Sequence, residues 1–328
     1  MNTDEYYKNF ILNTKFLKQV SKDIYIKKIN DILRNVTSYI SIHELLNNPD
    51  VYENELYEYF VNNKGLYNKE MSDHTKESYI TPILALFYHN MNLKENNVEL
   101  FGKWKKLHGK FREPIMNKYK KNEPTERQKE SYISYDNIVK IRNDLPKGSF
   151  ERLLLMMYTE IPPVRSDYYR TRIINDEKNI GNEENTIIMR KDNSSILFLH
   201  KYKTSSIYGT IYIDIPKLLY EEIKASIEKY PREYLFVSKL SGEVFNKENS
   251  YTQWANRTLK KVLNNNLFSL TMLRHIYISR RDINIERQSG IDREKIAKIM
   301  GHSVETQQKY LWHTWLDMLT INESTNCQ

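Results

Sequence analysis

Five short elements in the second half of the chain carry side chains able to bind and attack an oxyanion. Arg165 follows a helix stop at Ile161-Pro162-Pro163, and Lys203-Thr204 is expected at the tip of a β-hairpin. Thr271-Met272-Leu273-Arg274-His275 opens a helix. Met300-Gly301-His302-Ser303 stands at a helix end, and Thr306-Gln307-Gln308-Lys309-Tyr310 follows it. Taken singly, each is ordinary. Arg165 reads as a salt-bridged surface residue, Lys203 as a solvated loop lysine, and His275 as a satisfied, partly buried histidine. His302 reads as a helix C-terminal cation, and Tyr310 is one of 25 tyrosines. With only eight histidines in the chain, His carries more information than Tyr. Taken together, their order along the chain stands out. The usual cofactor signatures are missing. There is no GxxxxGK[ST], no GxGxxG and no HExxH, and no acidic cluster has obvious two-metal character.

In this order and at these separations, the elements resemble the tyrosine recombinase (phage integrase-type) family. Its pattern runs Arg, a hairpin Lys, His-x-x-Arg, Gly-His and a nucleophilic Tyr. The resemblance covers roughly residues 130–320. Leu273-Arg274-His275-Ile276-Tyr277-Ile278-Ser279 and Met300-Gly301-His302-Ser303-Val304-Glu305-Thr306-Gln307-Gln308-Lys309-Tyr310 carry its specificity. It implies that Tyr310 attacks the scissile phosphorus and forms a covalent 3′-phosphotyrosyl link, which conserves the bond energy and requires no ATP. It implies that Arg165 and Arg274 grip the non-bridging oxygens. Lys203, preferred over Lys201, protonates the leaving 5′-oxygen, and His302 bonds the phosphate or steers the tyrosine proton. No metal, nucleotide or other cofactor is expected. Two departures stand out. The family's His or Lys at the start of its second box falls on Thr271. His275 does not replace it, because one residue along a helix turns the side chain by ~100°. Tyr310 also follows His302 by one residue fewer than is common. A type IB topoisomerase shares this chemistry, and a non-catalytic DNA-binding relic is the alternative from a different class.

These residues must be held by elements that the pattern also predicts. The first ~120 residues read as helical, with helices over 16–36, 37–46 and 75–91. The last of these is capped at Ser72 or Asp73 and interrupted by Pro82, which should kink it or move its start. In 101–112, Lys103, Lys105, Lys106, Lys110 and Arg112 interleave with Phe101, Trp104 and Phe111. That segment reads as a phosphate-binding face, with a merely solvated basic face as the alternative. The polar stretch 119–131 contains Pro124 and is the linker candidate. It separates a helical, core-binding-like DNA-binding domain over 1–125 from a catalytic domain over 130–328. In the second domain, helices are expected over 134–143, 149–160, 216–229, 251–263, 271–283 and 292–300. Strands are expected over 186–189, 195–200 and 210–215. The predicted class is therefore α+β, a mostly helical first domain followed by a mixed catalytic domain with a small antiparallel sheet. Beyond Tyr310, the apolar residues Leu311, Trp312, Trp315, Leu316, Leu319 and Ile321 form a helix-like stripe. It either packs on its own domain or, as the resemblance implies, docks on a neighbouring protomer of a homotetramer.

Composition bounds the partner. A formal net charge of +8 over 328 residues favours an anionic partner, which the resemblance makes double-stranded DNA. The single Cys327 excludes an internal disulfide framework and a Cys-based zinc site. No apolar run approaches the ~18 residues of a membrane span, and residues 1–15 do not read as a signal peptide. An intracellular site of action, wherever the target DNA lies, is expected. The Asn, Lys, Ile and Tyr skew fits an AT-rich genome such as that of a virus, plasmid or mobile element.

Overall fold

The computed structural model describes residues 3–36, 40–63, 70–121, 123–175, 181, 184–280, 290–312 and 315. The chain divides into two compact units, Met1–Lys121 and Asn122–Gln328.

Helices alone make up the described N-terminal unit: α1 (Thr3–Asn13), α2 (Gln19–Asn35), α3 (Ile42–Asn47), α4 (Pro49–Asn62), α5 (Asp73–Tyr88), α6 (Met91–Asn96) and α7 (Val98–Lys121). Their starts follow local chemistry. The side chains of Ser41, Ser72 and Asn90 each accept a hydrogen bond from an otherwise orphaned N–H in the first turn of α3, α5 and α6. Pro82 does not move the start of α5, which begins at Asp73 and continues past the proline to Tyr88. Seven of its residues between Tyr79 and Phe87, besides Pro82 itself, are buried, and packing on that scale outweighs one missing backbone hydrogen bond. In α7 the buried residues Trp104, Leu107, Phe111 and Ile115 recur at helical spacing and form one stripe. Trp104 is fully buried and donates its indole N–H to the Leu46 carbonyl at 3.1 Å.

In the C-terminal unit, α8 (Glu126–Ser131), α9 (Tyr135–Asp144) and α10 (Phe150–Thr159) come first. Most of the polar stretch 119–131 is therefore helical: residues 119–121 close α7, and Thr125 with Gln128 forms a capping box on α8. Ser134 and Ser149 cap α9 and α10. Only Glu151 and Arg152 of α10 escape burial, so it is the central helix of this core. The strands are β1 (Arg172–Ile174), β2 (Thr186–Met189), β3 (Ser195–Leu199) and β4 (Ile211–Asp214), with the short α11 (Ser205–Tyr208) between the last two. Helices α12 (Lys217–Lys229), α13 (Glu248–Val262), α14 (Leu270–Ile278), α15 (Gly290–Ile299) and α16 (Val304–Gln308) follow.

The α+β class stands, but the sheet is mixed and not purely antiparallel. Its order is β1-β2-β3-β4, with β2-β3 and β3-β4 antiparallel and β1-β2 parallel. Strand β1 escapes sequence reading because three residues give no usable alternation. Strand β2 is buried at all four positions and β4 alternates buried and exposed, as expected for an inner and an edge strand. The expected helix over 271–283 ends at Ile278, and residues 281–283 lie outside the described residues.

Candidate active site

The end of α15 organises the site. Gly301 adopts φ +68°, the His302 N–H returns to the Ala297 carbonyl, and the Gly301 N–H returns to the Lys298 carbonyl. This is the αL termination of a helix, for which glycine has no steric penalty. A Cβ here would also approach the Tyr202 ring to 3.2 Å. The turn presents the Gly301 carbonyl to two loops at once. Thr204 donates its hydroxyl to it at 2.7 Å, and Arg165 Nη1 lies 3.4 Å away. The Pro-Pro-Val-Arg loop, the β3–β4 connection and the Gly-His element, remote in sequence, therefore meet at one oxygen.

Arg274 is 1% exposed on α14 and has no carboxylate within ion-pair distance among the described residues. It donates from Nη1 to the Pro163 carbonyl at 3.0 Å and from Nη2 to the Met300 carbonyl at 3.2 Å, and Nε is left without a partner. Burial pulls its pKa down, yet a guanidinium stays charged. Asp167 is the acid nearest the two arginines in electrostatic effect. Its Oδ2 accepts the Arg165 main-chain N–H at 3.2 Å. Burial pushes its carboxyl up, and the Arg165 and Arg274 charges oppose that rise.

Tyr310 follows α16 and is half-buried. A guanidinium and two imidazole rings surround its ring. The Arg274 guanidinium carbon lies 5.0 Å from the ring centroid, the His302 ring stacks at 5.5 Å, and the His275 ring tilts at 4.7 Å. His302 is buried, its Nδ1 is 3.0 Å from the Ser303 carbonyl, and its Nε2 has no partner. Burial, reinforced by Arg274, brings its pKa down to about 4, so it is neutral at pH 7. A neutral ring whose Nδ1–H points to a carbonyl offers Nε2 as an acceptor.

Lys203 is exposed in the turn before α11, next to the anchored Thr204. The connection it occupies is not a tight hairpin tip, since α11 lies within it. Lys201 is exposed two residues earlier. Thr271 is exposed on the first turn of α14, one helical turn before Arg274. Sequence reading misses Asn185, which is 2% exposed and braces the site. Its amide nitrogen donates to the Asp167 and Lys201 carbonyls at 2.6 and 3.0 Å, and its oxygen accepts the His200 and Lys201 N–H groups at 2.9 and 2.8 Å. One side chain thus joins the Arg165 loop to the Lys203 connection. An asparagine in an Asn-rich chain gives no signal of this.

Of the basic residues proposed to contact DNA from α7, three are paired within the N-terminal unit. Lys103 pairs with Asp50 at 2.5 Å and Glu99 at 3.6 Å, Lys110 with Glu53, and Arg112 with Glu77 at 3.0 Å. Lys105 and Lys106 are exposed, with no ion pair among the described residues. In the tail, Trp312 is 2% exposed and stacks on His275 at 4.2 Å, and Trp315 meets Trp312 and Tyr132 edge to face. The stripe thus begins by packing on its own unit. Leu316, Leu319 and Ile321 lie outside the described residues.

No helix among the described residues is long and apolar enough to cross a membrane. No family model matches the chain, and no curated protein matches it by sequence. Among solved structures it is similar to the crystal structure of XerA recombinase, at a TM-score of 0.41 and 14% identity over 98% of this chain and 99% of that one. The arrangement around Tyr310 carries the functional reading.

Proposed function

We propose that the chain is a site-specific tyrosine recombinase that cuts and rejoins double-stranded DNA through Tyr310, with no metal or nucleotide. The supporting observation is the convergence of separate elements on one ring: Arg274 and His302 flank Tyr310, and Gly301 gathers Arg165 and Thr204 beside them. Arg274 donates to carbonyl oxygens and forms no ion pair among the described residues, and its Nε has no partner. A scissile phosphate accepts from it and from Arg165. The Tyr310 oxygen attacks phosphorus, and the bond to the 5′-oxygen breaks. Nε2 of His302 takes the phenolic proton, and Lys203 donates one to the leaving oxygen. A 5′-hydroxyl from a partner strand then reverses the attack. The arginines stabilise charge that grows in the transition state.

The N-terminal unit adds sequence-independent phosphate contacts through Lys105 and Lys106. The active assembly is a homotetramer on two duplexes, joined through the C-terminal tail.

A nicked suicide substrate tests the chemistry. Wild type forms a covalent protein–DNA adduct in EDTA, and Tyr310→Phe binds DNA but forms none. Retained adduct in Tyr310→Phe, or strict Mg²⁺ dependence, overturns the assignment. Relaxation of supercoiled plasmid without strand exchange between sites assigns the same chemistry to a topoisomerase.

A further inference from the structure

We infer that Gln128 is a positioning residue for Tyr310, acting through the tautomer it imposes on His275. The inference rests on the reading of Tyr310 as nucleophile. Gln128 Oε1 lies 2.8 Å from the Thr125 main-chain nitrogen and 3.0 Å from its hydroxyl. A main-chain N–H can only donate, so this end of the amide is oxygen and the other end is NH₂. That NH₂ lies 3.2 Å from Nε2 of His275, which must therefore present a lone pair. The ring proton then sits on Nδ1, 3.2 Å from the Tyr310 carbonyl, which can only accept. One set of donors satisfies the whole chain from Thr125 to Tyr310. With the opposite tautomer, two lone pairs would face each other at Tyr310 and two N–H groups at Gln128.

The surroundings fix the same segment from a second side. Ser279 donates its hydroxyl to the Tyr310 carbonyl at 3.2 Å and accepts the Trp312 N–H at 3.0 Å. His275 is stacked on Trp312 with ring planes 9° apart, so its plane has no freedom to seek other partners. Burial holds its pKa down to about 4, which keeps the ring neutral and its tautomer meaningful. Neither Gln128 nor His275 touches the reacting atoms in this scheme. They set where the Tyr310 main chain lies, and a misplacement of about 1 Å costs a reacting group about 100-fold.

The experiment combines a structural and a kinetic reading on the full chain. Nitrogen-15 histidine spectra of the DNA-free protein, assigned by loss of the His275 signal in His275→Asn, report the tautomer. The expected result is protonated Nδ1 in wild type and a shift toward protonated Nε2 in Gln128→Met. Single-turnover adduct formation at saturating suicide DNA is then compared for His275→Asn and His275→Gln. Both lose the ring, but asparagine places its NH₂ near the Nδ1 position and glutamine reaches instead toward Nε2. His275→Asn should react about 10- to 100-fold faster than His275→Gln, with DNA affinities alike. Protonated Nε2 in wild type, an unchanged tautomer in Gln128→Met, or equal rates for the two His275 variants overturns the inference. If wild type forms no adduct, the nucleophile assignment fails, and the tautomer spectra still decide whether Gln128 sets His275.

Discussion

The cations of α7 and the arginines around Tyr310 are held in different ways. On α7 in the N-terminal unit, Lys103, Lys110 and Arg112 sit near the surface and meet carboxylates from α4, α5 or their own helix. In the C-terminal unit, Arg274 is buried and donates to carbonyl oxygens, while Arg165 reaches toward another. A carboxylate cancels a cation's charge. A carbonyl orients it and leaves the charge in place. The first arrangement suits a surface that touches phosphates loosely, and the second a preorganised seat for one phosphate.

The contrast is sharpest at Arg274. Arg274→Gln should lower single-turnover cleavage by about a thousandfold, roughly 4 kcal/mol, while Lys103→Ala changes it little. Comparable losses in the two variants, measured at saturating DNA, would erase the distinction between seat and surface.

The buried histidines extend the contrast to pH. His275 and His302 have pKa values of about 4 in the folded chain, against an ordinary value of 6.5. The unfolded chain therefore binds more protons between these values. Stability is fully present above about pH 6.5 and falls away as pH drops toward 4, on the order of 3 kcal/mol for each ring. Urea unfolding followed from pH 7 to 4 should show the decline, and Phe substitution of either ring should flatten it. A pH-independent midpoint would show that these rings take up protons in the folded chain as readily as in the unfolded one.

Asn185→Leu should destabilise the protein by about 3 kcal/mol, because four main-chain groups are deprived of their partner together. Adduct formation should fall with it, since the Arg165 and Lys203 loops share this brace. Gly301→Ala is a smaller change of about 1–2 kcal/mol, set by the αL backbone and the Tyr202 ring. An unaltered urea midpoint in either variant would separate the brace or the turn from the stability of this unit.

The smallest effects belong to α7. Lys105→Ala and Lys106→Ala should each reduce the slope of log affinity against log salt by about 0.9, the value for one phosphate left without its cation. Lys103→Ala should reduce it by less, because Asp50 and Glu99 already hold that charge. Binding titrations at several salt concentrations decide it. Equal slopes for all three variants would mean that pairing does not divide this face.

The features legible along the chain are local or depend on order alone. Ser72, Ser134 and Ser149 announce helix starts because a cap needs only its own first turn. The three longer strands carry their own alternation or apolar runs, and the Arg, Lys, Arg, His and Tyr elements stand in a readable order. Features that need distant partners emerge only in three dimensions. Strand β1 exists because Arg172–Ile174 finds Thr186–Ile188 beside it. Nothing in residues 101–112 shows that Asp50, Glu53 and Glu77 face them. Asn185 becomes a brace, and Gln128 the partner of His275, only once segments up to 147 residues apart are brought together. A hydrogen bond needs its two atoms within about 3 Å, and folding sets that distance for residues remote along the chain.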